Sequence, residues 1–170
     1  MIRYHVVNAF LEEQIDCRNI NELMALENKL PGEEGCFIDS VLSFLATPTD
    51  RRLEWDLTAH CFGSCVINMS KVGIYALLDD GITAIHTPLL KQFGSIAEWQ
   101  MVSYSFDDIQ TLDMEKLDRD DLADKESGVL FMKVTNEKRQ IRNYTLRNLN
   151  PAHLEQFQRL QMIRQASRMN

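Results

Sequence analysis

The 170-residue sequence is poor in the residues that break or staple a chain: seven glycines, four prolines and four cysteines. So few breakers, with no low-complexity tract, argue against extended disorder outside the stretch from Asp118 to Ser127. Four irregularly spaced thiols, Cys17, Cys36, Cys61 and Cys65, do not make a disulfide framework for a chain this long, so reduced thiols and a cytoplasmic location are the expectation. No apolar run approaches the roughly 20 residues that a bilayer-spanning helix needs. The opening "MIRYHVVNAFLEEQID" meets Glu12 and Glu13 too early, and lacks the small-residue cleavage site, for a secretory signal. Also missing are a phosphate-cradling glycine loop, a nucleophile elbow and a metalloprotease helix.

What is present is an ordinary globular composition, 45% hydrophobic and 25% charged, with a net charge of -7. The charge is uneven. Residues 1–104 carry a net -7, residues 105–126 a net -6 and residues 127–170 a net +6. A basic quarter on an acidic molecule is not the broad cationic footprint that nucleic acid requires. The acidic and basic segments are expected to lie close enough to neutralise each other in part.

Helical signals sit at both ends. In "CRNINELMALENKLPGEEG", Asn19 or Asn21 can cap a helix, Leu23, Leu26 and Leu30 recur at helical spacing, and Pro31-Gly32 stops it. "CFIDSVLSFLATP" reads as a second helix or a buried strand, with the helix preferred. The clearest element is the last: Asn150 as N-cap, Pro151 at the first helical position, then Leu154, Phe157, Leu160 and Ile163 as one apolar face.

Between them the pattern is β. "RRLEWDLTAHCF" alternates Leu53, Trp55, Leu57 and Ala59 against polar residues, and "VINMSKVGIYALLDD" continues the β character. Asp79-Asp80-Gly81 predicts a tight hairpin, with Asp-Gly supplying positive φ. "QMVSYSFDDI" reads as another strand, and "SFDDIQTLDMEKLD" as a strand in preference to a helix that Ser105 and Asp108 could cap. "GVLFMKVTN" and "RQIRNYTLRN" are two more, turning at Asn136-Glu137-Lys138, the second read as an edge strand protected by its arginines. The whole reads as a single domain, 1–50 mainly helical and 51–170 an antiparallel sheet with a C-terminal helix.

From Lys71 to about residue 167 this order resembles the bacterial pleckstrin-homology (PH-like) domains. The residues concerned are "GIYALLDDG" leading into "ITAIHTP", the aromatic "VSYSFDDI", then "VLFMKV", "RQIRNYTL" and the closing amphipathic helix. "LENKLPGEE" is similar to the short helix and Pro-Gly-Glu step that precede the first strand of that family. The resemblance implies an α+β fold: a bent antiparallel β-barrel or sheet closed by a C-terminal helix, after an N-terminal helical segment. Residues 36–70 exceed what one strand needs and belong either to the sheet or to a helical insertion.

Several residue groups bear on function. His60, Cys61 and Cys65 in "AHCFGSC" are zinc-ligand types, but a second pair is missing, and neighbours on a strand face opposite ways, so His60 does not serve Cys61 as a base. Asp118, Asp120, Asp121, Asp124 and Glu126 form an acidic loop without the glycine and glutamate spacing of a calcium-binding loop. Lys133, Lys138, Arg139, Arg142 and Arg147 sit on or between the last two strands and are the candidate partner-binding residues. The acidic hairpin 79–81 would repel a lipid headgroup. The expectation is a non-enzymatic cytoplasmic module that recognises a protein or peptide on a sheet edge or beside the final helix, without cofactor or metal, with a homo-oligomer compatible. The alternatives are a small enzyme or metal-binding protein using Cys61 and Cys65 with a nearby His, and peripheral membrane association through the basic C-terminal quarter.

Overall fold

The computed structural model describes residues 15–30, 33–46, 59–88, 99–118 and 126–169. Among the described residues two helices come first, α1 (Ile20–Lys29) and α2 (Glu33–Ala46). Seven strands follow: β1 (Cys61–Ile67), β2 (Lys71–Leu78), β3 (Gly81–Pro88), β4 (Gln100–Ser105), β5 (Ile109–Asp118), β6 (Glu126–Thr135) and β7 (Ile141–Leu149). A 3-10 turn (Pro151–His153) then leads into α3 (Leu154–Met169). No helix among the described residues is long and apolar enough to cross a membrane. Residues 51–58 of the strand expected over 51–62, and 119–125 of the acidic loop expected over 118–127, lie outside the described residues, while Cys61 and Phe62 open β1.

The strands form one antiparallel sheet in the order β4-β3-β2-β1-β7-β6-β5, curled into a half-barrel. The connection between its two ends explains the curl. β4 and β5 lie at opposite edges, yet only Phe106, Asp107 and Asp108 join them. In a flat sheet, six spacings of about 4.8 Å would separate those edges by about 29 Å. Four Cα steps reach about 14 Å at most. The sheet must bend until the end of β4 meets the start of β5, and the corner is tied down by Phe106 N–H to the Asp80 carbonyl (2.8 Å) and Thr135 N–H to the Asp108 carbonyl (2.9 Å).

Bending gives the sheet an inside and an outside, and each has a core. Inside, Tyr75, Leu77, Ile82, Tyr104, Leu130, Met132 and Leu146 pack with Leu154, Phe157 and Leu160 of α3. Outside, Phe62, Val66, Val72, Ile74, Ala76 and Ile85 pack under Ile20 and Leu23 of α1 and Ile38, Val41 and Leu45 of α2. β1, β2 and β3 are therefore buried on both faces, which is why their sequence runs apolar with little alternation. β7 is exposed over Ile141–Asn143 and half-buried beyond, with Leu146 and Leu149 buried in the inner core.

Local chemistry sets the ends. Asn19 caps α1, its Oδ1 accepting from Glu22 N–H at 2.9 Å, while Glu22 Oε2 accepts from Arg18 N–H at 2.7 Å. Residues 33–46 are helical, the preferred of the two readings. The hairpin lies at Asp79–Asp80 as expected, but neither residue has positive φ and Gly81 is not in the left-handed region. Gly81 serves a close approach: a Cβ there would overlap the Tyr104 carbonyl oxygen on β4. The left-handed turn is instead Asn68-Met69, φ 50° and 60°, between β1 and β2. The Asn68 backbone N–H donates to the Thr145 carbonyl and its Oδ1 accepts from Thr145 N–H, both at 2.9 Å, so this turn is stitched to β7. β7 is thereby an interior strand between β1 and β6, and the edges are β4 and β5. Ile163, expected on the apolar face of the last helix, is 58% exposed, because α3 runs past the core after Leu160.

Two substitutions separate these uses of backbone space. Gly81→Ala should lower the urea midpoint by an amount equivalent to about 1–3 kcal/mol, since the new methyl must displace β4 backbone. Met69→Gly, which relieves a left-handed Met at an exposed site, should raise stability by about 0.5–1 kcal/mol. Equal signs for the two would contradict this account of the two turns.

Candidate functional site

The cysteines are placed for packing. Cys61 and Cys65 point into the inner core and Cys17 into the outer one, all three unpaired. Burial, then the Asp16 carboxylate, pushes the Cys61 thiol up to about 12, and burial alone pushes Cys65 to about 12. Cys17 rises to about 11 through burial, then Glu22 and Asp16. A thiol needs the opposite environment, exposed and electropositive, to become a nucleophile or metal ligand. His60 lies beside Cys61 in sequence, but its Nε2 contacts Asp79 Oδ1 at the hairpin. No group of three or more His, Cys, Asp or Glu among the described residues is arranged to hold a metal ion.

Among the described residues, a buried polar chain with a catalytic look was not evident from the sequence. Tyr75 Oη hydrogen-bonds His153 Nδ1, and His153 Nε2 lies 2.7 Å from Asp16 Oδ1. Tyr75 and His153 are both fully buried, and Asp16 is half exposed. Burial, with smaller contributions from Cys61, Cys65 and Asp16, holds the Tyr75 phenol well above its ordinary range. The ring packs edge-on to His153 and at 5.4 Å from Phe157. Gly63 on β1 leaves room for it, since a Cβ there would come within 2.6 Å of Tyr75 Cζ. With no open space beside the phenol, this chain ties β2, the turn before α3 and the N-terminal segment together.

The five candidate basic residues do not converge. Lys133 stands opposite Asn143, and Arg142 opposite Val134, which puts Lys133 and Arg142 on opposite faces of the sheet. Lys138 and Arg139 lie in the exposed β6–β7 turn, Arg139 with φ 60°. Arg147 is half-buried opposite Val66, with Nε buried and unpaired.

What the fold does assemble is a groove of about 520 Å³ where α3 passes the β2–β3 hairpin, lined by His60, Asp79, Arg159, Leu160, Ile163 and Arg164 together with Ser167. Its far wall is fixed. Arg164 grips Asp107 at the β4–β5 corner with two parallel bonds, Nε–Oδ1 3.0 Å and Nη2–Oδ2 2.8 Å. Asp79 is engaged by His60. Arg159 has no carboxylate partner among the described residues, and Ile163 lies open beside it.

His86, on the inner face of β3, is buried with Nδ1 unpaired. Burial, then the Lys71 ammonium, pushes it down to about 4 from the usual 6.5. The unfolded chain takes up this proton below pH 6.5 while the folded chain refuses it until about pH 4. Stability is thus fully present above pH 6.5 and falls toward pH 4, at up to about 1.4 kcal/mol per unit. His86→Gln should flatten urea midpoints across that window; an unchanged pH slope would remove His86 as its source. Independently, Tyr75→Phe should cost about 1–3 kcal/mol by orphaning His153 Nδ1, measured by the same denaturation.

Compared with known proteins, the chain matches no family model, no curated protein and no solved structure.

Proposed function

We propose that this chain is a non-enzymatic binding or assembly module of PH-like architecture, acting in the bacterial cytoplasm, that recognises a protein or peptide partner in the groove beside α3. A strand order in which a three-residue corner joins the two edges, with a helix lying across the bent sheet, supports the PH-like reading. Unpaired thiols suit a reducing compartment. Their elevated protonation range, and the closed packing around Tyr75, favour binding over thiolate or phenolate chemistry.

The observation that carries the proposal is the groove itself. Its lining includes Ile163, a large apolar side chain that α3 leaves 58% exposed. Arg159, one turn from Ile163, adds a cation with no carboxylate partner among the described residues. An apolar anchor flanked by a charged group is the pattern of a peptide contact.

The test is capture of partners from native cytosol by the tagged chain, beside two controls. Arg159→Glu with Ile163→Glu alters the groove; Arg139→Glu with Arg142→Glu alters the β6–β7 turn. A partner kept by the turn control and lost by the groove control is the expected result. Loss with the turn control alone moves the surface to the last strands. No enrichment over an untagged column would remove the proposal.

A further inference from the structure

The inner core is incomplete at one place. Four apolar side chains pack on it while only half-buried: Val102 on β4, Leu112 and Met114 on β5, and Tyr144 on β7. Three of the four lie on the two strands that flank the open seam of the half-barrel. Half-burial there is what a core residue shows when the strand beside it is missing.

β5 offers that missing strand a long template. Its ten residues pair only with β6, so along its free edge alternate N–H and C=O groups have no sheet partner among the described residues. The strand contains no proline, and its one irregularity lies at its start, between Ile109 and Thr111. Its central side chains alternate between the faces, with exposed Gln110 and Lys116 bounding the apolar row. Leu112 and Met114 face the inner core, while Thr111, Asp113 and Glu115 face out and are exposed. Across the ladder Asp113 meets Phe131 and Glu115 meets Val129, so neither carboxylate finds a cation there. The nearest outward base on β6, Lys133, stands opposite Thr111. Neither acid has an ion pair among the described residues.

We propose that the seam receives an extended peptide from a partner protein as an added strand along β5. Its apolar residues would cover Leu112 and Met114, and alternate Lys or Arg residues would face Asp113 and Glu115. A second copy of this chain pairing β5 with β5 fits less well, because antiparallel self-pairing about this stretch brings Asp113 and Glu115 against like charges. This surface is separate from the groove beside α3 and stands whether or not that groove binds.

The probe is a capped nine-residue peptide alternating Lys with Val or Ile, added to the full chain. The control is a peptide of the same composition with the alternation scrambled. Fluorescence anisotropy gives affinity, and amide exchange followed by NMR locates the contact. The expected result is protection of alternate β5 amides, with affinity falling about tenfold or more for the scrambled peptide and for Asp113→Lys/Glu115→Lys, whose sites are exposed. Equal binding by the scrambled peptide, or protection away from β5, would overturn the proposal. So would β5-edge amides already protected in the free monomer, which would mean that this chain covers its own edge. Sedimentation showing a dimer that the double variant dissociates would assign the edge to a second copy instead. Failure of the groove reading is registered separately, by the Arg159/Ile163 variant, which leaves β5 untouched.

Discussion

The hydrogen-bonded chain Tyr75–His153–Asp16 is the constraint on which the other parts of the molecule depend. It begins on the inner face of β2, passes through the turn that launches α3 and ends on the segment that precedes α1. An imidazole can serve two partners only if its nitrogens play different roles. Asp16 accepts the hydrogen bond that Nε2–H donates, which leaves the Nδ1 lone pair to accept one from the Tyr75 hydroxyl. Both buried rings are then satisfied, and the carboxylate that orients them keeps half its surface in water. Removing any member orphans the next. Because the chain crosses from the inner layer to the outer one, it couples two cores that otherwise share only the thickness of the sheet.

The second dependence is geometric. The three-residue corner forces the curl, the curl creates an open mouth, and α3 crosses that mouth held at both ends. His153 secures its start, and Arg164 secures its far end to Asp107, which belongs to the corner itself. The same corner that bends the sheet therefore also anchors the helix across it. It further gives the uneven charge a structural meaning, since Arg164 comes from the basic quarter and Asp107 from the acidic segment. A pair with both partners about two-fifths exposed fixes orientation more than it adds stability.

Much of this was legible in the sequence where one local signal acts alone. Asn150 and Pro151 announce the last helix, and Asn19 the first. The turn at Asn68-Met69 was hidden because β1 and β2 are buried on both faces, so apolar residues run on either side of Asn68, Ser70 and Lys71 and these read as interruptions of one β stretch. Gly81 was placed correctly but for another reason: the glycine answers to Tyr104, a residue 23 positions along, and not to its own turn. His153 gave no signal at all. Its partners lie 78 and 137 residues away, and a lone histidine in a helical first turn looks like any other. That the basic set from Lys133 to Arg147 does not share one face already follows from strand alternation, and the ladder adds the register, with Lys133 opposite Asn143 and Arg142 opposite Val134.

Burial is spent unevenly around the sheet, and that unevenness shapes the surfaces left for recognition. β1, β2 and β3 sit between α1, α2 and α3 and lose both faces to packing. Strands held on both sides cannot move without opening two cores, so they form the rigid frame. β4 and β5 are held on one edge each, and β5 presents Thr111, Asp113 and Glu115 outward. Any adaptation to a partner then falls on the β4–β5 side and the overhanging end of α3, because these carry the fewest buried contacts. The Asp107 corner stands between the two surfaces. A strand added along β5 would begin beside the residue that Arg164 grips, so the fold places its seam and its groove on either side of one ion pair.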